Sequence, residues 1–127
     1  HVMSNMTVGN IYYREGNVQT GRDFFKLKVI GQGGHGSSPH AANDTIVAGA
    51  HFVTALQTIV SRRLNQCETG VVNIGSFNGN RQCKMIKDRI EKEEEGRSLT
   101  NETKHTIKKE VQRLSEGLEV MFGVTCE

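Results

Sequence analysis

The apolar residues near the end of the sequence are the feature that most restricts how this chain folds. They recur at intervals of four, three, four and three residues, at Ile107, Val111, Leu114, Leu118 and Met121. These intervals place the side chains on one side of an α-helix, which needs an apolar surface to cover it. Thr100 can cap the start of this helix and Gly123 can end it. The chain therefore requires a second layer beneath the helix.

Strand patterns supply that second layer. Residues 24–30 alternate between apolar and charged side chains, a period of two that is typical of a sheet with one buried face. A second strand is predicted over residues 71–77 and a third within residues 85–97, although the charges at 91–95 are unusual for a strand. Residues 124–125 have the composition of a fourth strand that begins at the end of the sequence.

A first helix is predicted over residues 44–63, with Asn43 or Asp44 as its cap. Its apolar residues recur at helical spacing, at Ile46, Ala50, Val53, Leu56 or Gln57, and Val60. Gly49 costs this helix about 1 kcal/mol relative to Ala. This glycine indicates a site where another backbone, such as that of a partner helix, approaches the helix closely. The alternative is that the glycine has no structural role.

The order of these elements predicts the fold class. Strand, helix, strand, strand, helix and strand is the order of the ferredoxin-like fold, an α/β (α+β) two-layer sandwich. In that fold a four-stranded, mostly antiparallel sheet carries both helices on one face. We expect residues 21–127 to form this domain and residues 1–20 to form a connecting segment.

Charge and cysteine content argue against several classes of protein. The 127 residues interleave 16 Lys and Arg with 14 Asp and Glu, whereas a nucleic-acid-binding protein concentrates basic residues on one face. No apolar run reaches the roughly 18 residues of a membrane span, and no basic-then-apolar leader begins the sequence. Three widely spaced cysteines are typical of a reducing compartment. We therefore expect a cytoplasmic protein that binds neither nucleic acid nor membrane.

The glycine-rich segment 31–42 is the part of the sequence that most suggests chemistry. It has neither the Lys-Ser/Thr ending of a phosphate-binding loop nor the glycine spacing of a dinucleotide-binding turn. Its glycines leave an open backbone from which the imidazole of His35 can donate a hydrogen bond to an oxyanion or polarise a carbonyl. A surface turn in which His35 and His40 are incidental is the alternative. With Asp44 as the nearest acid, the two histidines do not make a tetrahedral zinc site.

Four stretches of the sequence carry a family resemblance. Residues 31–40, which read GQGGHGSSPH, are followed by 43–46, 56–63 and 71–75 in an order that resembles the lid domain of the zinc-dependent amidohydrolases and exopeptidases. That family includes aminoacylase, carboxypeptidase G and the indole-acetyl-amino-acid hydrolases. The resemblance implies a two-zinc catalytic domain outside this chain, into which a lid that pairs two subunits is inserted.

The resemblance also implies roles for particular residues. His35 matches the lid histidine that steadies the oxyanion, commonly in the partner subunit's active site, and Arg97 matches an arginine that holds a substrate carboxylate. His1 resembles a metal-ligating histidine. Lys84 stands where the family has a substrate-contacting Asn, and Lys87 where it has Pro, so these positions depart from the family pattern.

Two functions from different classes follow from the sequence. The first is a homodimerising lid of a zinc enzyme that hydrolyses N-acyl amino acids or small peptides, in which case the chain alone lacks the metal site and is inactive. The second is a free-standing ferredoxin-like module that binds a ligand or regulates another protein. An RNA-binding sheet ranks last because no aromatic-rich motif accompanies Phe25.

Overall fold

A four-stranded antiparallel sheet with two helices forms the body of the structure, a computed structural model that describes residues 3–79 and 82–127. In chain order the elements are β1 (Gly21–Ile30), β2 (Gly34–His35), α1 (Thr45–Thr58), β3 (Gly70–Asn78), β4 (Met85–Ile86), β5 (Arg89–Ser98), α2 (Asn101–Phe122) and β6 (Thr125–Cys126). The sheet has the order β3-β5-β1-β6, and β2 pairs with β4 in a separate two-stranded ribbon. The predicted ferredoxin-like α+β fold is confirmed. In the described part of the chain neither helix is long and apolar enough to cross a membrane.

The glutamate-rich segment forms the second strand from the edge of the sheet. β5 pairs with β1 along its whole length, from Arg89 opposite Ile30 to Ser98 opposite Gly21. On the outer face of the sheet, the Lys26 ammonium lies 3.3 Å from the Glu91 carboxylate and 3.7 Å from that of Glu93. Opposite charges on neighbouring strands therefore hold a segment whose own strand propensity is poor. The predicted third strand starts later than expected, because residues 85–86 belong to the β2–β4 ribbon instead.

The predicted apolar face of the first helix is wrong for most of its length. α1 begins after Asp44, whose carboxylate accepts hydrogen bonds from the amides of the next turn, and after Thr58 it continues as one π-helical turn (Ile59–Arg63). Its buried residues are Thr45, Ala48, Gly49, Phe52 and Leu56. Of the predicted positions only Leu56 is buried, whereas Ile46 and Val60 are each 38% exposed. The helix is apolar on two faces, so its periodicity does not single out the one that covers the sheet.

The second helix follows its predicted stripe more closely. Ile107 and Leu118 are buried in the core, and Val111 and Leu114 pack against it. The prediction that Met121 is part of the buried stripe is wrong, because its side chain is 69% exposed and Phe122 packs against the core in its place. The predicted ends are confirmed: the Thr100 hydroxyl accepts a hydrogen bond from the Thr103 amide, and Gly123 ends the helix with a φ of 62°.

Gly49 lets α1 lie close to the sheet. A Cβ atom at this position would lie 2.8 Å from Phe77 Cε2 and closer still to Ile90 Cδ1. The Lys92 ammonium donates a hydrogen bond to the Gly49 carbonyl and lies 4.9 Å from the ring centres of both Phe52 and Phe77. The close approach suggested by the glycine is therefore made to the sheet of the same chain, not to a partner helix.

Replacement of Gly49 by Ala tests this packing. We expect Gly49→Ala to lower the free energy of unfolding by about 1–3 kcal/mol, because the added methyl group overpacks the interface between α1 and the sheet. Gly117→Ala is the matched control, since a Cβ atom at that exposed position of α2 meets nothing within 4 Å. It should raise the free energy of unfolding by about 0.5–1 kcal/mol. Urea denaturation measures both, and equal effects of the two substitutions would contradict the packing described.

Lys92 and Glu94 are buried charged residues on the core face of β5. Glu94 lies between Phe25 and Ile74 of the neighbouring strands, and its carboxylate oxygens have no hydrogen-bond partner among the described residues. Burial raises the pKa of Glu94 from 4.5 to about 7, although Lys92 opposes this rise. Burial likewise lowers the pKa of Lys92 from 10.5 to about 8, against the attraction of Glu94. Both shifts reflect the cost of removing a charge from water.

From these two shifts we expect the stability of the fold to have a minimum near neutral pH. Between pH 4.5 and 7 folded Glu94 holds a proton that the unfolded chain has released, so stability falls as the pH rises. Between pH 8 and 10.5 folded Lys92 has lost a proton that the unfolded chain retains, so stability rises again. Urea midpoints at about pH 5, 7.5 and 10 measure the profile. The double variant Lys92→Met/Glu94→Leu should lose this minimum, whatever the cost of losing the hydrogen bond from Lys92 to the Gly49 carbonyl.

Lys26→Met is the control for the pH profile, because it removes a lysine of the outer face that is half exposed. This variant should keep the minimum. A profile that is the same with and without Lys92 and Glu94 would show that neither group titrates in the core as described.

Candidate functional site

The β2–β4 ribbon carries His35 at one end of the sheet. In the ribbon Gly34 faces Ile86 and His35 faces Met85. The ribbon is joined to the sheet where β1 ends and β5 begins, since the Gly31 amide donates a 2.8 Å hydrogen bond to the Asp88 carbonyl. His35 therefore projects from an arm whose position is fixed by main-chain hydrogen bonds.

The glycines of this segment are needed for close backbone packing within the ribbon. A Cβ atom at Gly33 would lie 3.0 Å from the Ile86 carbonyl oxygen and 3.2 Å from the Asp88 amide nitrogen. At Gly36 it would lie 3.1 Å from the carbonyl oxygen of Lys84, which accepts a 2.8 Å hydrogen bond from the Gly36 amide. The glycines serve the approach of two backbone segments.

The His35 side chain is exposed and contacts its own loop through one ring nitrogen. Nδ1 lies 2.7 Å from the Ser37 hydroxyl oxygen and 3.2 Å from the Ser37 amide nitrogen. The amide of Ser38 in turn donates a 2.9 Å hydrogen bond to the His35 carbonyl. Nδ1 is thus occupied within the loop, whereas Nε2 makes no hydrogen bond among the described residues.

The structure places the predicted residues in two separate regions. Lys84 lies beside His35 in the ribbon. Its carbonyl accepts a hydrogen bond from the Gly36 amide, and its neighbour Met85 faces His35. Arg97 lies near the opposite end of β5. The eight residue steps from Arg89 to Arg97 correspond to about 26 Å of strand. Within one chain, His35 and Arg97 are therefore too far apart to contact the same small molecule.

Arg97 lies in a cluster of charges on the outer face of the sheet. Its guanidinium donates a 3.2 Å hydrogen bond to the Glu95 carboxylate, which also pairs with Arg22. The hydrogen bond from Arg22, with the further attraction of Arg97, lowers the pKa of Glu95. The Arg97 side chain is 42% exposed and so remains accessible to a carboxylate ligand.

Metal binding finds no support in the described residues. Residues 3–79 and 82–127 contain no group of three or more His, Cys, Asp and Glu side chains that could hold a metal ion. His1 lies outside the described residues. The zinc that the resemblance implies has no complete ligand set in the described part of this chain.

The second apolar face of α1 borders a groove at the edge of the sheet. The groove has a volume of about 510 Å³ and is lined by Ala50, Val53, Gln57, Val72, Asn73, Ile74 and Phe77, which we call the α1–β3 face. β3 lies at the edge of the sheet, and within the described residues it pairs with β5 alone. Edge strands are commonly protected by charges, but β3 has none.

The two helices differ in their content of charged residues. α1 contains no Asp, Glu, Lys or Arg, whereas eight of the 22 residues of α2 are of these types. An uncharged helix beside an uncharged edge strand is typical of a surface that another protein covers. The signal was present in the sequence, as a lack of charge over residues 45–58 and 70–78, but its meaning depends on knowing that β3 is an edge.

A family model described as the peptidase dimerisation domain matches residues 18–119. This chain belongs to that family. The predicted resemblance to the dimerisation domains of amidohydrolases is therefore confirmed, and the uncharged α1–β3 face agrees with the description of the family.

Individual relatives extend the comparison with the peptidase dimerisation domain. The chain is 36% identical over 123 residues to N-acetyldiaminopimelate deacetylase of Oenococcus oeni, a match that covers 97% of this chain and 32% of that protein. A provisionally named aminohydrolase of methicillin-resistant Staphylococcus aureus is 67% identical, with a TM-score of 0.93 over 100% of this chain and 34% of that one.

A more distant structure shows the fold alone. It is the aminobenzoyl-glutamate utilization protein of Klebsiella pneumoniae, which is 16% identical, with a TM-score of 0.77 over 88% of this chain and 28% of that one. The chain spans about a third of the length of these relatives.

Proposed function

We propose that this chain is the dimerisation domain of a zinc-dependent hydrolase that cleaves the amide bonds of N-acyl amino acids or small peptides. In that enzyme it joins two subunits and supplies His35 to an active site. The observation that carries the proposal is the uncharged α1–β3 face. The name of the Oenococcus oeni relative, a deacetylase of an N-acetyl amino acid, supports an N-acyl substrate.

The α1–β3 face suits a twofold dimer. Two β3 strands can pair edge to edge, so that the sheets of two copies continue into one another and the two α1 helices pack side by side. Such an interface is isologous, because the same surface serves both copies. A standard interface buries roughly 1,600 Å² in total, which an edge strand and a helix can provide together. The partner in this proposal is a second copy of the chain.

His35 provides the oxyanion contact in the proposed enzyme. Its imidazole is exposed at the end of the ribbon and can donate a hydrogen bond to an oxygen that becomes negative during amide hydrolysis. Lys84, beside it, offers a positive charge for a substrate group. We assign Arg97 to a substrate carboxylate in a different active site of the dimer, because about 26 Å of strand separates it from the His35 ribbon.

Zinc in this proposal is held by His1 together with ligands from a catalytic part of the enzyme outside this chain, so the chain alone is inactive. A metal bound there would activate a water molecule for attack on the amide. Residues 1–20 connect to that catalytic part and residues 21–127 form the dimerisation domain. Three free cysteines, of which Cys67 and Cys83 are exposed, support a reducing cytoplasmic location.

A charge placed on the α1–β3 face tests the dimer. Ala50 is exposed on α1 and lines the groove, so Ala50→Glu brings two like charges to a twofold interface. We expect the dissociation constant of the dimer to rise at least about tenfold, the effect of 1.4 kcal/mol. Sedimentation velocity of the purified chain measures it. Val120→Glu is the control, because it adds the same charge at a residue of α2 that is 89% exposed. A chain that stays monomeric at high micromolar concentration would overturn the proposal.

Removal of the His35 imidazole tests the catalytic part of the proposal. The 67% identity to the Staphylococcus aureus protein allows a chimera in which this chain replaces the matching third of that enzyme. On a panel of N-acyl amino acids and dipeptides with zinc, we expect His35→Ala to lower kcat by about 10²-fold or more, the effect of losing one oxyanion donor. His40→Ala, in the same exposed loop, should leave kcat unchanged. An active chimera in which His35→Ala has no effect would contradict the oxyanion role.

A further inference from the structure

The backbone amide and the hydroxyl of Ser37 both lie beside Nδ1 of His35. We infer that Ser37 is a positioning residue that holds neutral His35 in the tautomer with its proton on Nε2. The inference deepens the proposed function and rests on it for its catalytic meaning, because only an Nε2 proton can be donated from the exposed side of the ring. The tautomer itself is a property of this chain and can be measured without activity.

The Ser37 amide decides the state of Nδ1. A backbone amide can donate a hydrogen bond but cannot accept one. Its nitrogen lies 3.2 Å from Nδ1, so Nδ1 must present a lone pair to it. If Nδ1 carried the proton, two N–H groups would face each other and the amide would lose its partner. In the neutral ring the proton therefore belongs on Nε2.

The Ser37 hydroxyl is compatible with the same tautomer. Its oxygen lies 2.7 Å from Nδ1, the usual distance of a strong hydrogen bond. A hydroxyl can donate or accept, so by itself it selects neither tautomer. Beside an unprotonated Nδ1 it takes the donor role, and the amide is the group that distinguishes the two forms.

The surrounding backbone holds Ser37 in this position. On one side the Gly36 amide donates a 2.8 Å hydrogen bond to the Lys84 carbonyl, and on the other the Ser38 amide donates a 2.9 Å hydrogen bond to the His35 carbonyl. These two bonds bracket Ser37 and direct its amide toward the imidazole. Ser38 differs from its neighbour, because only its backbone contacts His35.

The tautomer of His35 can be read from the 15N shifts of its ring nitrogens, since protonated and unprotonated nitrogens resonate far apart. The experiment uses the 127-residue chain at a pH where histidine is neutral, with the His35 signals assigned by their loss in His35→Ala. We expect Nε2 to be protonated and Nδ1 unprotonated. Ser37→Pro, which removes the amide hydrogen, should lower the ratio of the Nε2–H to the Nδ1–H form roughly two- to tenfold, the effect of one hydrogen bond. Ser37→Ala keeps the amide and should keep Nε2 as the protonated nitrogen, and Ser38→Ala should leave the ratio unchanged.

Two results would overturn the inference: an Nδ1 that carries the proton in the unmodified chain, or a ratio that Ser37→Pro does not change. Kinetics of the chimera separate this failure from failure of the proposed function. If His35→Ala abolishes activity while Ser37→Pro leaves the ratio unchanged, only the inference about Ser37 fails. If Ser37→Pro changes the ratio while His35→Ala is harmless, Ser37 sets the tautomer as inferred and the proposed oxyanion role fails.

Discussion

The hydrogen bond from Lys92 to the carbonyl of Gly49 joins the helix layer to the sheet, and much of the structure depends on this contact. It requires a helix without a side chain at position 49, so that α1 lies directly on β5. The rotation of α1 is then fixed, with Phe52 inward and Ala50 at the groove. The same helix holds the site, because the Thr45 hydroxyl at its start donates a 2.9 Å hydrogen bond to the Lys87 carbonyl, just after the ribbon. One close contact therefore orients both the α1–β3 face and the end of the sheet that carries His35.

Local patterns in the sequence predicted the elements that depend on local interactions. The cap at Thr100, the left-handed Gly123 and the stripe of α2 each involve residues less than two turns apart, so their spacing is visible in one dimension. The strand at residues 89–98 was harder to predict, because its charges are balanced by residues of β1 about 65 to 73 positions away. The face of α1 was not predictable from periodicity, since apolar side chains on two sides give no single direction of burial.

Only part of the candidate site was predictable from the sequence, because some of its contacts are local and others depend on strand pairing. The loop around His35 is a contiguous motif, and its glycines and serines are close in sequence as well as in space. The nearness of Lys84 and the remoteness of Arg97 depend on the strand register, which pairs His35 with Met85 and places Arg97 opposite Arg22. No spacing rule within the sequence gives that register. Sequence reasoning therefore identified the candidate residues, and the sheet determined which of them can act together.

Main-chain hydrogen bonds fix the position of the β2–β4 ribbon, and this has a consequence for how such a site can evolve. Every residue has a backbone carbonyl, so the hydrogen bond from the Gly36 amide to the carbonyl at position 84 survives almost any side chain there. Lys84 therefore helps to hold the loop through its backbone, whatever its side chain is. In the proposed enzyme, substitutions at position 84 could alter which substrates are preferred while His35 keeps its place, so specificity could change separately from catalytic power.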